Sequence, residues 1–193
     1  MILINGYFLC RTLTGIERYA MEITKRLDIL SSPGELAIIV PKNCNHVPEY
    51  KNITIIRYYK IIPHFIWQFL FLQFYLLFHP QYIILDFSNT CLPFFPGIIF
   101  LHDIYCEFFP NDFISPRDKF VRLYNRWQYR LISKKAKRII TVSQFSKSQI
   151  VSQFKLNPNK IEVIPNSWEH FQNIECDYSI IKKLKKSNLF YFS

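Results

Sequence analysis

Short apolar runs alternate along the chain with longer amphipathic stretches. Seven β-branched runs lack the polar alternation of a sheet with one wet face, which predicts strands buried on both sides. They cover residues 1–5, 36–40, 53–57, 82–86, 97–101, 138–142 and 161–164. Helical patterns lie between several of them, and this order predicts an α/β fold with a mainly parallel sheet flanked by helices.

The first predicted helix follows Thr14 and Gly15. Apolar residues recur there at spacings of three and four, which predicts one buried stripe made of Ile16, Tyr19, Ala20, Ile23, Leu27 and Leu30. The remaining charged positions are predicted to face solvent, namely Glu17, Arg18, Glu22, Lys25 and Arg26. The sequence Ser31-Ser32-Pro33-Gly34 is expected to end this helix.

Two further helices are predicted in the second half of the chain. One begins near Ser115 and Pro116, a cap residue followed by proline at the first helical position. It is predicted to bury Phe120, Leu123, Tyr124, Trp127 and Leu131. The other runs from about residue 143 to 154, with Ser143 as its N-cap.

The segment 61–78 is almost continuously apolar. A transmembrane helix needs about 20 predominantly apolar residues, whereas Pro63, His64, Gln68 and Gln73 interrupt this segment. A buried helix is favoured, and a helix that contacts a membrane or a true membrane span are the alternatives.

Positive charge is concentrated in the second half of the chain. Lys and Arg outnumber Asp and Glu by 8 to 6 in residues 1–100 and by 16 to 8 in residues 101–193. Nine cations fall within residues 117–138, opposed only by Asp118, which favours an anionic partner such as a lipid headgroup, a nucleic acid or a phosphorylated substrate. The run has no RNP-type motif, zinc-finger spacing or heptad zipper, so nucleic acid is not expected as a partner.

One face of the second helix carries six of these cations, which are Lys119, Arg122, Arg126, Arg130, Lys134 and Lys137. This face is either an ordinary solvated surface or a contact with an anionic membrane. The five cysteines are odd in number and none forms a C-x-x-C pair, which indicates a reducing, cytoplasmic setting. The start lacks a basic n-region, so it is predicted to be a first strand and not a signal peptide.

The residues that could take part in binding or catalysis follow the predicted strands, and this is where ligands bind in open α/β sheets. Gly15 opens a helix whose free N–H groups suit a phosphate, but it also fits an ordinary turn. His102 and Asp103 follow the fifth strand, and His102 is either a site residue or a structural histidine. Ser143 follows the sixth strand, where an N-cap is the simpler interpretation.

Three passages, in order, resemble the retaining glycosyltransferases of family four. They are TGIERYA at 14–20, IIFLHD at 98–103 followed by Phe109 and Pro110, and AKRIITVSQFSK at 136–147 continued by NKIEVIPN at 159–166. The family uses the GT-B architecture of two facing Rossmann-like domains. The resemblance therefore implies a Rossmann-like acceptor-side domain over residues 1–170. It also implies a linker and the start of a donor-binding domain over 171–193, with 188–193 as the first strand of that domain.

The resemblance also implies a function and a set of site residues. The expected enzyme transfers a sugar, with retention, from a nucleotide-sugar donor to a glycan or lipid-linked acceptor in polysaccharide biosynthesis of the cell envelope. His102 and Asp103 are implied as catalytic, and donor or acceptor binding is implied for Thr14, Gly15, Arg18, Ser143 and Asn166. No metal or cofactor is expected, because helix dipoles and basic side chains balance the leaving diphosphate in the family.

Two features depart from the family pattern. Glu17 stands where many relatives carry a second small residue, so an anion at this helix would meet a carboxylate. The donor-binding domain is not in the sequence, so the chain alone is expected to be inactive. A non-catalytic binding or assembly module is the alternative function, and a cytoplasmic protein peripheral to the inner membrane face is the expected setting.

Overall fold

The computed structural model describes residues 1–60 and 62–166. All seven predicted strands are present, as β1 Ile2–Asn5, β2 Leu36–Val40, β3 Thr54–Arg57, β4 Ile83–Asp86, β5 Ile98–Phe100, β6 Arg138–Thr141 and β7 Ile161–Val163. They form one sheet in the order β3-β2-β1-β4-β5-β6-β7, and every neighbouring pair is parallel. The predicted α/β class and the parallel sheet are confirmed.

The direction of strand progression reverses between β1 and β4. The chain moves outward from β1 to β3 on one side and from β4 to β7 on the other, so β1 and β4 pair at the centre. Loops leaving the carboxyl ends of these two strands diverge, which opens a crevice where ligands bind in this class of sheet.

Helices cover both faces of the sheet. On one face, α1 Gly15–Leu30 packs Tyr19 and Ala20 against Ile4 and Phe100. On the other face lie α2 His64–Ile66, α3 Gln73–Phe78, α5 Pro116–Lys135 and α6 Gln144–Phe154. The short α4 Tyr105–Phe108 follows β5. Strand residues alternate between the two layers, which is why the strands are apolar on both sides.

The buried face of α1 differs from the predicted one in two places. Glu17 is 1% exposed although it was expected to face solvent, and Leu30 is 82% exposed although it was expected to be buried. Near the end of α1, the carboxylate of Asp28 accepts the N–H groups of residues 51, 52 and 53, which turns this buried acid inward and Leu30 outward. Burial of this carboxyl opposes its ionisation, but the three hydrogen bonds outweigh that effect and lower the pKa of Asp28.

The predicted buried face of α5 is wrong for Phe120, Leu123 and Trp127, which are exposed, whereas Tyr124 and Leu131 are half-buried. Phe120 is 70% and Leu123 is 62% exposed, whereas the helix buries Gln128, Tyr129, Ile132 and Ser133. Hydrogen bonds set this rotation, because the side chain of Gln128 accepts the N–H of Cys91 at 2.9 Å and Arg122 donates to the Cys106 carbonyl at 2.9 Å. The spacing of apolar residues carries no information about such long-range polar contacts, so it could not predict this rotation.

Segment 61–78 forms α2, a π-helical turn over Trp67–Leu72, and α3. Trp67 and Leu72 are fully buried, while Phe74 and Phe78 are 52% and 74% exposed. The favoured interpretation of a buried helix therefore holds for one side of the segment, and its other side is an exposed apolar surface. Within residues 1–60 and 62–166, no helix has the length and apolar character that a membrane crossing requires.

The predicted linker over 171–193, the strand expected at 188–193 and the domain boundary at 170 lie outside the described residues. The domain division therefore stays a prediction.

Candidate functional site

A buried polar cluster lies at the carboxyl ends of the two central strands. Asn5 ends β1 and Asp86 ends β4, and the Asn5 amide donates to Asp86 Oδ2 at 2.6 Å. Trp67 Nε1 donates to Asn5 Oδ1 at 3.1 Å, and Gln68 Nε2 donates to Asp86 Oδ2 at 3.2 Å. The chain therefore fills the central crevice with its own side chains.

Sequence reasoning missed this cluster. Burial raises the pKa of Asp86, and hydrogen bonds from Asn5, Ser88 and Thr90 oppose that rise. The signal was present in the sequence, because a single polar residue ends each of two otherwise apolar strands. Which residues meet it could not be read from the sequence, because Trp67 and Gln68 arrive from a helix that follows a different strand.

His102 lies two residues beyond the end of β5, at the same edge of the sheet, and is 8% exposed. Its Nε2 is 3.0 Å from the Phe87 carbonyl oxygen, and its backbone N–H donates to Asn89 Oδ1 at 2.9 Å. Because a carbonyl only accepts, Nε2 carries the proton and Nδ1 of the neutral ring is an acceptor. The imidazole is thus held in one tautomer at the sheet edge where ligands bind in this class of fold.

Burial lowers the pKa of His102, and the hydrogen bond to Phe87 and the charges of Asp103 and Glu17 oppose that fall. The ring is therefore neutral at pH 7. His102 makes a structural hydrogen bond and also lies at the carboxyl edge of the sheet. It can therefore be both a structural histidine and a site residue.

Tyr19 joins α1 to this edge. Its ring meets the His102 ring edge-on, with centroids 5.3 Å apart, and its hydroxyl donates to the Ile164 carbonyl at 2.8 Å. One side chain thus holds the first helix, His102 and the segment after β7 together. The sequence assigned Tyr19 only to the apolar stripe of α1.

Glu17 caps the N-terminus of α1. Its Oε2 accepts the backbone N–H and the hydroxyl of Thr14, and its Oε1 lies 3.1 Å from the Arg11 guanidinium. A carboxylate is favourable at a helix N-terminus, where unpaired N–H groups and the helix dipole attract negative charge. The chain therefore supplies its own anion at the helix end where a donor phosphate was expected.

Gly15 needs no glycine-specific backbone. A Cβ built there meets no atom within 4 Å, and its φ is not in the left-handed range. The backbone at this position therefore does not require glycine, and the open space beside Gly15 leaves its backbone accessible. Arg18 is exposed one turn further along α1.

His64 lies close to the same pair of charges. Burial and the Arg11 guanidinium, opposed by the Glu17 carboxylate, together lower the pKa of His64 to about 4. Its Nε2 is buried and has no hydrogen-bond partner among the described residues. Protonation would therefore create a poorly solvated cation beside Arg11.

Protonation of His64 is expected to destabilise the protein in acid. The unfolded chain binds this proton below pH 6.5 and the folded chain only near pH 4, so the free energy of unfolding is fully retained above 6.5 and falls as the pH drops towards 4. The loss is on the order of 3 kcal/mol. Urea unfolding of His64→Gln should show a weaker pH dependence in this range, and the exposed His46→Gln is the control. Equal slopes for His64→Gln and the wild type would contradict the assignment.

Three other predicted site residues lie at the ends of strands or helices. Asp103 is exposed, and its Oδ1 accepts the N–H of Tyr105, the first residue of α4, at 2.9 Å. Ser143 accepts the N–H of Ser146 at 3.0 Å, so its expected role as the N-cap of α6 is confirmed. Asn166 is exposed after β7. Ligand contacts of these residues stay predictions.

The basic face of α5 is divided in two. Lys119, Arg130 and Lys134 of α5 are exposed, as is Lys137 just beyond its end, whereas Arg122 and Arg126 are half-buried. Arg126 pairs with Glu107 at 2.9 Å, and Arg122 donates to a backbone carbonyl. The two half-buried arginines therefore serve the fold of α4 and α5.

Within the part of the chain that the structure describes, no three His, Cys, Asp or Glu side chains are grouped closely enough to hold a metal ion. The expectation that no metal or cofactor is needed stays a prediction.

Sequence comparison decides the family of this chain. The model of Glycosyltransferase Family 4 matches residues 13–168. The chain belongs to this family. The match contains α1, His102 and the segment from β6 to Asn166, so every predicted donor, acceptor and catalytic residue lies within the family 4 region.

Solved structures show the same fold at low sequence identity. WaaG, a glycosyltransferase involved in lipopolysaccharide biosynthesis, is similar over 98% of this chain and 52% of its own, with a TM-score of 0.59 and 12% identity. Anabaena HepE in complex with UDP and glucose is similar over 96% of this chain and 50% of its own, with a TM-score of 0.52 and 15% identity. The family 4 chain spans about half the length of both structures, and no curated protein matches it significantly in sequence. The expected Rossmann-like domain of the GT-B fold is confirmed.

Proposed function

We propose that this family 4 domain is the acceptor-side half of a retaining glycosyltransferase. The complete enzyme would transfer a sugar from a nucleotide-sugar donor to a glycan or lipid-linked acceptor, in the assembly of cell-envelope polysaccharide. The observation that supports this most is the neutral, buried His102 at the carboxyl edge of the sheet. Its unprotonated Nδ1 suits a hydrogen bond from a sugar hydroxyl.

The wall around His102 supports the same proposal. α1 begins beside it, the loop after β7 is attached through Tyr19, and the exposed Asp103 follows in sequence. Sugar transfer needs donor and acceptor held in reactive geometry, and rigid elements provide that best. This domain supplies one wall, and a donor-binding domain would supply the other.

Glu17 favours a second candidate, a binding or assembly module that performs no transfer. A diphosphate that approaches Gly15 meets the Glu17 carboxylate, and the single Arg11 that pairs with Glu17 cannot neutralise both. Under the first proposal, the donor phosphates contact the open side of Gly15. The donor-binding domain then supplies the positive charge that neutralises these phosphates.

Transfer assays separate the two candidates. The chain alone is expected to show no turnover with a panel of nucleotide sugars, because one wall cannot position both substrates or stabilise the departing diphosphate. Mixing or fusing it with a donor-binding domain of the same family should produce transfer with retained anomeric configuration, which NMR of the product reads directly. Acceptor binding without turnover in the mixture would favour the binding module, and robust transfer by the chain alone would refute the half-enzyme.

We propose that the exposed cations of α5, together with Lys137 just beyond its end, place the protein on the inner face of an anionic membrane. A cation near such a surface contributes about 1 kcal/mol, or about fivefold in partitioning. Sedimentation with anionic and neutral vesicles should show binding to the anionic ones that weakens with salt. Lys134→Gln with Lys137→Gln should weaken it by about 25-fold, while the exposed control pair Lys42→Gln and Lys51→Gln should not. Equal binding to neutral vesicles would remove the electrostatic account.

A further inference from the structure

An open apolar groove runs along segment 64–78, with α5 on its other side at one end and residues 94–95 at the other end. It consists of two hollows that share Phe69. One has a volume of about 430 Å³ and is lined by Phe65, Phe69, Phe120, Tyr124 and Trp127. The other has a volume of about 350 Å³ and is lined by Phe69, Gln73, Phe74, Leu77, Phe94 and Phe95. Each is within the size range of ligand sites, which is roughly 300–1,000 Å³. These residues are called the aromatic groove below.

The aromatic groove has exposed rims and an apolar floor. Phe94 and Phe120 at the rim are 79% and 70% exposed, while Phe69 is half-buried. Large exposed apolar patches mark binding surfaces, because soluble proteins rarely tolerate them otherwise. Phe120 and Trp127 face this surface because the hydrogen bonds of Gln128 and Arg122 fix the rotation of α5.

The lining presents almost no polar surface, and the side chains of Gln73 and Tyr124 have hydrogen bonds within the protein. Gln73 donates through Nε2 to the Phe69 carbonyl at 2.8 Å and accepts the N–H of Phe94 at 3.3 Å. The hydroxyl of Tyr124 accepts from the Gln128 amide at 3.1 Å. A peptide or a sugar would leave its own polar groups unpaired in such a groove, whereas a hydrocarbon has none to satisfy.

Topology places one end of the groove near the candidate site. α2 follows β3 and α5 follows β5 in the chain, so both helices begin on the carboxyl side of the sheet. Phe65 lies in the first turn of α2 and Phe120 at the start of the second turn of α5, and the groove continues from there towards Leu77. A chain lying in it would therefore have one end on the side of the sheet that holds His102.

Positive charge lies at that same end. Arg117 is exposed and precedes Phe120 by three residues, which puts it on the same face of α5 one turn nearer the helix start. Lys119 is exposed in the same turn. An anionic group attached to the hydrocarbon would meet these cations, while the groove itself carries no charged side chain.

We propose that the aromatic groove binds the hydrocarbon chain of a lipid-linked acceptor whose phosphate contacts Arg117. The proposal rests on the proposed function and narrows its acceptor from a glycan or a lipid-linked sugar to the second class. Concavity distinguishes this occupant from a bilayer surface, because a groove encloses a single chain whereas bilayer insertion needs only protruding side chains.

Binding of a monomeric alkyl phosphate to the full 193-residue chain tests the proposal. Dodecyl phosphate carrying bromine on its chain, used below its micellar concentration, is expected to bind and to quench the fluorescence of Trp127. Phe120→Ser should weaken this binding about tenfold, as expected for a lost aromatic contact. Phe145→Ser on α6 is the matched control, because both phenylalanines are 70% exposed. Equal effects of the two substitutions would overturn the proposal.

Two further arms define the remaining outcomes. Arg117→Gln should weaken binding of dodecyl phosphate but leave binding of uncharged dodecyl maltoside unchanged. Binding to anionic vesicles without binding to monomeric alkyl phosphate would overturn the proposal in favour of bilayer insertion. Phe120-dependent binding of alkyl phosphate with no transfer in the assembled enzyme would refute the proposed function alone. Transfer that is equal for Phe120→Ser and wild type with a lipid acceptor would refute the groove alone.

Discussion

Replacement of His102 by alanine is expected to lower kcat/KM by about 10²–10³-fold in an enzyme completed with a donor-binding domain, the range seen for loss of one preorganised polar contact in an active site. The neutral imidazole is fixed by its Nε2 contact with the Phe87 carbonyl, so its orientation requires no rearrangement during reaction. Alanine removes the acceptor nitrogen and leaves the rest of the wall in place. Steady-state kinetics of the assembled enzyme measure the effect.

The same substitution is expected to cost some stability, because His102 also packs edge-on against Tyr19. Loss of one buried hydrogen bond contributes about 0.5–1.5 kcal/mol, which chemical unfolding separates from the kinetic effect. Tyr19→Phe is the control, since it removes the hydroxyl contact with Ile164 but keeps the ring. It should lower stability by a similar amount and activity by much less. An equal loss of activity in both variants would make His102 a structural residue.

The pH dependence of the assembled enzyme tests the protonation state. Because burial lowers the pKa of His102 below its ordinary value of 6.5, the neutral form and the activity that needs it should persist below pH 6.5 and disappear only in stronger acid. Activity that falls as the pH rises through 6.5 would show that the protonated ring is required.

Gly97→Ala is expected to unfold the protein or to destabilise it by at least about 3 kcal/mol, since core overpacking against backbone cannot relax cheaply. A Cβ at Gly97 would lie 2.0 Å from the Ile84 carbonyl oxygen and 2.8 Å from the Ile84 carbonyl carbon. Ile84 is in β4, and the Gly97 carbonyl accepts the N–H of Lys137 at 2.8 Å, so the glycine sits at the point where β4, β5 and β6 come together. Relief would require the central strands to separate.

Gly15→Ala is the matched control for this prediction. Nothing lies within 4 Å of the added methyl group, and alanine is the better helix former by about 1 kcal/mol. Urea unfolding should therefore give Gly15→Ala a stability equal to or above that of the wild type. If Gly97→Ala unfolded at the same urea concentration as the wild type, β4 and β5 would have to be far enough apart to admit the added methyl group. Lower activity of Gly15→Ala at unchanged stability would support donor contact at this helix.

The strand plan could be read from the sequence because it depends on local chemistry. Apolar β-branched runs without polar alternation suit only strands covered on both faces, and each of the seven was found. Gly15 and Ser143 were also placed correctly at helix starts, because capping preferences act over three or four residues. The family motifs added the fold, since they extend over most of the chain in a fixed order.

The rotation of the helices and the contents of the crevice depended on partners far away in the sequence. Glu17 was expected in solvent but is buried by Arg11 and its own helix end, and α5 turned Phe120 outward because Gln128 bonds to Cys91. Asn5 and Asp86 meet across 81 positions of sequence. A hydrogen bond is satisfied by whichever group the fold brings within about 3 Å. The sequence by itself therefore determined which segments are strands and helices, and the tertiary structure decided which polar side chains are buried and which aromatic ones are left exposed.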